Sequence, residues 1–175
     1  MSSTFIESGF EFTFPAGVAV RELDKLSRPS DMKAVDFVVC QGDNTLLLEV
    51  KNPSSLAIPQ EHRASRAATD RAKRVGDELI NNELVPKARH SYLYLHLMEE
   101  DTERLILVFL DDPGALGIDA ALLVNYKDRL LGRLRQEADA PWKREYISDC
   151  VVVTPETWKR YFPDYGLSQS QSVDE

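Results

Sequence analysis

The amino-acid sequence predicts an α/β fold, a mixed central sheet flanked by helices on both faces, from three observations. Short runs of β-type residues, "AVDFVVC", "TLLLEVK", "SYLYLHL", "RLILVFL" and "CVVV", alternate with longer amphipathic stretches. The 175 residues, 43% of them hydrophobic, suffice for one core. No internal repeat or long linker divides the chain, so residues 1–167 read as a single domain and 168–175, "SQSQSVDE", as a disordered polar tail. A sheet of about five or six strands is expected for such a domain.

Taken in order, "GFEFTFP" (Gly9 to Pro15) alternates aromatic and polar residues as a half-buried strand does, and "VAVRELDKL" fits either a strand or a short helix. "AVDFVVC" and "TLLLEVK" flank "QGDN", whose composition suits a tight turn, so they form a hairpin. A helix is expected over Gln60 to Asn82. It would bury Ala64, Ala68, Ala72, Val75 and Leu79 and present Arg63, Arg66, Lys73 and Arg74 on the opposite face. That basic face suits either phosphate binding or a solvated surface in which Asp70 makes intrahelical ion pairs. "SYLYLHL" and "RLILVFL" read as strands separated by the acidic turn "MEEDTE". The next stretch, "IDAALLVNYKDRLLGRLRQE", places Leu122, Leu123, Tyr126, Leu130 and Leu134 at helical spacing with Asp119 as cap. "CVVV" then leads into a terminal helix announced by Thr154, Pro155 and Glu156.

Charge and composition narrow the function. A net charge of −8 argues against nucleic-acid binding by bulk electrostatics, while leaving room for a local basic surface. The longest apolar runs are too short to span a bilayer, and the N-terminus has no basic region followed by an apolar one. Cys40 and Cys150 sit in apolar runs, as buried thiols do. The expected setting is cytoplasmic and away from membranes. His62, His90 and His96 lack metal-ligand spacing, with His96 expected in a strand, and Trp142 and Trp158 read as packing residues.

The chemistry lies at the mouth of the hairpin. With the turn centred between Gly42 and Asp43, Asp36 falls opposite Glu49, and Lys51 points to the same face as Glu49. Both strands are apolar on both faces, so the hairpin is expected to be central and covered rather than an edge whose terminal charges merely pair in solvent. Opposed carboxylates repel unless a cation lies between them. Two carboxylates with a backbone carbonyl, expected from Val50, form the hard oxygen set that Mg²⁺ or Mn²⁺ favours, and the Lys51 ammonium suits activation of a metal-bound water or stabilisation of a phosphate.

Asp36 and "EVK" at Glu49 to Lys51, a D-x12-ExK pattern on a hairpin followed by an amphipathic helix and another strand, resemble the PD-(D/E)xK nuclease superfamily. The resemblance covers about Val18 to Leu97, with Val35 in place of the proline that names the motif. It implies a restriction-endonuclease-like fold, Mg²⁺ or Mn²⁺ dependence, and cleavage of nucleic acid, with DNA the expected substrate, to leave a 5′-phosphate. By the same resemblance Asp36 and Glu49 would be metal ligands and Lys51 the catalytic lysine. Glu22 would be the upstream acid on a first helix, with Asp24 or Glu11 as alternatives, and Gln60 the glutamine that some branches carry on the helix after the lysine. Lys33 is a further source of positive charge near the metal end.

Two other function classes stand beside the active nuclease. One is an inactive nuclease-like domain serving as a binding or assembly module in a defence or repair system. The other is an interaction domain unrelated to nucleic acid, in which the hairpin charges are coincidental. A homodimer or a partner protein is compatible with either nuclease-like reading.

Overall fold

The computed structural model describes residues 1–175 except 27–28, 54–58, 101, 113–115, 119, 138–139 and 171–175. It is an α/β protein with a mixed five-stranded sheet, a separate three-stranded antiparallel sheet, a two-stranded antiparallel pair of β7 (Gln136–Glu137) and β8 (Ala140–Pro141), and four α-helices among the described residues.

The hairpin forms the centre. Strands β4 (Phe37–Gln41) and β5 (Asn44–Lys51) pair antiparallel from Gln41↔Asn44 to Phe37↔Leu48, closing on the two-residue turn Gly42–Asp43. Gly42 supplies the positive φ, 56°, that the turn requires. To one side lies β3 (Ala19–Glu22), antiparallel to β4; to the other come β6 (Arg104–Asp111) and β9 (Asp149–Val153), both parallel. The order β3-β4-β5-β6-β9 makes β5 a central strand, as its apolar faces predict. Val38, Leu47, Leu107 and Cys150 face one core, while Phe37, Val39, Leu48 and Val108 face another. Cys40 and Cys150 are free thiols, and burial pushes that of Cys150 up to about 12.

Helices cover only the first of these faces substantially. There α2 (Val85–Leu97) and α3 (Ala120–Arg135) pack on the sheet through Val85, Ala88, Leu95, Tyr126, Leu130 and Leu134. The expected cap Asp119 lies outside the described residues, as do the side chains of Leu122 and Leu123. The second face is covered mainly by a small sheet rather than by helices. Strand β2 (Phe10–Phe14) pairs with β1 (Ser3–Glu7) and with β10 (Gly166–Gln169), and its three phenylalanines all point inward. Trp158, from the single-turn helix α4 (Trp158–Tyr161), packs edge-on to Phe12 and donates its indole N–H to the Tyr165 carbonyl at 2.9 Å. That helix is shorter than expected, although the Thr154 hydroxyl does accept the Thr157 N–H at 3.3 Å. Ser168 and Gln169, assigned to the polar tail on sequence, complete β10.

Two further corrections concern the crossover from β5 to β6. "SYLYLHL" is helical, not a strand, so His96 sits on α2, stacked on Tyr92. The buried positions Val85, Ala88, Ser91 and Leu95 follow helical spacing, but two of them are small or polar. Ser91 is buried because its hydroxyl accepts the Val35 N–H at 3.1 Å. The second correction is that α1 (Gln60–Val75) is inverted relative to its pattern: Ala64, Ala68, Ala72 and Val75 are exposed, and Arg74 is the one buried residue among those described in the helix. The helix ends at Gly76, short of Asn82, and a new run begins after Asp77, whose φ is 61°. That run passes through a π-helical turn, Ile80–Leu84, directly into α2.

Candidate functional site

The hairpin register carries on past its last ladder pair, placing Asp36 opposite Glu49. Asp36 Oδ2 accepts the Val50 N–H at 2.7 Å, which locks the carboxylate against the end of β5. Glu49 lies one residue earlier and is fully buried, at 0% exposure. Lys51, on the same face, places Nζ 3.0 Å from Glu49 Oε1 and 3.1 Å from Glu83 Oε2. Asp36, Glu49 and Lys51 are therefore brought together.

Three residues not singled out on sequence, Lys87, Glu83 and Glu7, complete the group together with Asp24, expected only as an alternative to Glu22. Lys87, in the first turn of α2, donates to both Glu49 oxygens, at 2.6 and 2.8 Å, and lies 3.8 Å from Asp36 Oδ1. Glu83, one helical turn earlier in the π-helical segment, also contacts Lys73 of α1 at 3.6 Å. On the other side of Asp36 stand Glu7 and Asp24. One carboxylate oxygen from each of Glu7, Asp24 and Asp36 lies within 4.8 Å of the other two. Asp24 arrives there because the neighbouring Leu23 N–H donates to the Asp36 carbonyl at 2.9 Å. Glu7 does so because the β1–β2 turn is tied to the end of β5, with the Asn52 side-chain amide donating to the Ser8 carbonyl at 2.9 Å.

Other expected participants stand elsewhere. Glu22 is on a strand rather than a first helix; it opposes Phe37, which faces the other core, and pairs with Lys25. Glu11 alternates with the inward-facing phenylalanines of β2. Of the three acids expected as alternatives, Asp24 is the one whose carboxylate lies near that of Asp36. Gln60 is exposed at the start of α1, and Arg63 is exposed one turn on. Lys33 donates to the Asn82 carbonyl at 2.6 Å, and its N–H is accepted by His90 Nδ1.

A polar cleft of about 270 Å³ opens over the group. One wall is Glu7, Asp36, Val50 and Lys51; the other is the charged face of α1, with Arg66, Asp70, Lys73 and Arg74, joined by Glu83. This explains the inversion of α1: it lies over a polar cleft, not an apolar core, so its charged face turns inward. Arg74 is spent on buried Asp111, so the cations that α1 brings to the opening are Arg66 and Lys73, each in a longer ion pair, with Asp70 at 3.8 Å and Glu83 at 3.6 Å.

The electrostatics follow from burial. Desolvation, reinforced by the Glu49 charge, lifts the Asp36 carboxyl to about 7, against the pull of Lys87. Burial works against the Lys51 ammonium, but Glu49 and Glu83 more than offset it, so its pKa is raised and it stays charged at neutral pH. It therefore suits a fixed positive charge better than a proton acceptor. Burial also opposes ionisation of Glu83, yet Lys51, Lys73 and Lys87 together hold its pKa below the usual range.

No family model matches the chain, and comparison with curated proteins and with solved structures gives no match. Among the described residues no helix is long and apolar enough to cross a membrane.

Proposed function

We propose that the protein is a metal-dependent nuclease of restriction-endonuclease-like fold that hydrolyses phosphodiester bonds, with DNA the first substrate to test. The observation that carries this reading is the convergence of Asp36 and Lys51 on one wall of a cleft whose facing wall is the basic side of α1. Supporting it are the β4–β5 hairpin and the helical segment after it, two of the elements that carry the PD-(D/E)xK resemblance; the strand expected next, "SYLYLHL", is helical, and the strand that returns beside β5 is the later β6.

The residues fit a divalent cation on one side of Asp36. Glu7, Asp24 and Asp36 would hold it through oxygens alone, the donor set that Mg²⁺ and Mn²⁺ prefer. Burial first and the Glu49 charge second raise the pKa of Asp36, and a cation bound beside it would favour its ionised form. A bound Mg²⁺ or Mn²⁺ supplies Lewis acidity toward a phosphoryl oxygen and a more acidic water. Lys51 offers a fixed ammonium for charge developing on the phosphate, and Arg66 and Lys73 hold flanking phosphates from across the cleft.

A second reading, a nuclease-like module that binds or assembles without cutting, is favoured by one observation. Glu49 is saturated by Lys51 and Lys87, so one expected metal ligand is already neutralised.

The test is cleavage of single- and double-stranded DNA and of RNA with Mg²⁺ or Mn²⁺, against EDTA controls. Activity that Lys51→Ala and Asp36→Asn both remove supports the nuclease. Nucleic-acid binding without cleavage supports the module, and neither binding nor cleavage overturns both.

A further inference from the structure

We propose that Lys87 is a resident cation that takes the place of a divalent ion at Glu49 and acts as a positioning residue for Lys51; its catalytic consequence rests on the nuclease reading above. Glu49 is fully buried and is not part of the cleft wall, so water is not available to balance its charge. A buried carboxylate needs a fixed counter-charge. Lys87 supplies one in a forked geometry, at 2.6 Å from Oε1 and 2.8 Å from Oε2, with Asp36 Oδ1 at 3.8 Å. Its ammonium thus lies beside both carboxylates of the expected metal pair.

The two cations are mutually exclusive at Glu49. Mg²⁺ requires ligand oxygens at roughly 2.0–2.1 Å. An ion at that distance from Glu49 would sit against an ammonium already in hydrogen-bond contact with both oxygens, with a second ammonium, that of Lys51, 3.0 Å from Oε1. Like charges at such separations in a buried site repel strongly. Backbone packing fixes the arrangement: Val85 and Ala88, on either side of Lys87 in α2, are buried against the sheet. Helical spacing puts Glu83 and Lys87 on one face, four residues apart. Glu83 holds Lys51 from one side while Lys87 neutralises the carboxylate that holds it from the other.

Any divalent ion is therefore left to the cleft side of Asp36, and Glu49 serves to hold two lysines. Without Lys87, Lys51 would remain on Oε1 and Oε2 of Glu49 would be left to a cation of its own.

The decisive experiment compares wild type, Lys87→Met, Glu49→Gln and the double variant by thermal unfolding in EDTA and in millimolar Mn²⁺, with Mn²⁺ stoichiometry from calorimetry. Lys87→Met should gain a Mn²⁺-dependent rise in Tm beyond that of wild type and one additional Mn²⁺, and the double variant should lose both gains. Glu49→Gln alone should keep the wild-type response. No gain in Lys87→Met, a gain that survives in the double variant, or loss of the wild-type response in Glu49→Gln would each overturn the inference. If Lys87→Met does not fold, Lys87→Gln is scored in the same way. A wild type indifferent to Mn²⁺ would contradict the metal-dependent nuclease instead, since the gain in the Lys87 variant is measured against that baseline.

Discussion

Arg74 of α1 and Asp111 at the end of β6 form a buried two-pronged pair, with Nε to Oδ2 and Nη2 to Oδ1 both at 2.7 Å. Their side chains are 7% and 3% exposed, and Arg74 is the buried anchor of a helix whose alanine face lies in solvent. Burial raises the pKa of Asp111, with the guanidinium pulling against it, so the carboxylate depends on its partner.

Arg74→Met is therefore expected to destabilise the protein by about 3–5 kcal/mol, because it strands a buried charge. Combining it with Asp111→Leu should recover much of that loss. Urea unfolding of both variants measures this. Additive losses would show that the pair does not anchor α1.

Asp36 should make stability depend on pH with a defined sign. Its folded pKa, about 7, lies above the ordinary 3.8, so the native state holds the proton more firmly. The contribution is complete below the ordinary value and is lost as pH rises through about 7, up to about 4 kcal/mol in all. Asp36→Asn should thus gain on wild type as the pH is raised, in metal-free buffer. Metal affinity of the wild type should rise over the same range, because the ligand must ionise. A stability difference between the two proteins that does not vary with pH would contradict this.

Ser91→Ala removes the acceptor of the Val35 N–H while leaving both residues buried. The cost should be about 1–3 kcal/mol, seen as a lower urea midpoint with an unchanged slope. A neutral result would mean that the amide finds another partner.

Lys51→Ala should lower cleavage by about 100-fold or more, as loss of a fixed transition-state charge does. Mn²⁺ binding should survive, since Lys51 is not among the carboxylates that would hold the ion. Full activity in the variant would remove Lys51 from the mechanism.

The hairpin was legible because local chemistry determines it: a Gly-Asp turn centres the pairing, and the pairing dictates that Asp36 meets Glu49. The central position of β5 likewise followed from leucines on both faces. Where the sequence misled, a local pattern competed with a nonlocal cause. In α2, alternating Tyr and Leu mimic a strand, while Ala88 and Ser91 mark the buried stripe too faintly to be read. In α1 the apolar face was assumed to be the inner one, but the cleft beneath the helix is polar and the rule reverses. Glu7 and Lys87 reach the site only through tertiary packing, and no spacing in the sequence announces them, while Asp24 was legible only as one of three candidate acids because the local pattern does not say which of them the fold turns toward Asp36. Lys87 alters the chemistry most, because the cation expected between Asp36 and Glu49 includes a side chain.

Calorimetric titration of metal-free wild type and Asp36→Asn with Mn²⁺, above pH 7, tests the proposed ion site without any assumption about substrate. One Mn²⁺ bound by the wild type, and affinity at least about tenfold weaker in Asp36→Asn, is the expected result. Absence of binding in the wild type, or binding that Asp36→Asn leaves unchanged, would contradict it.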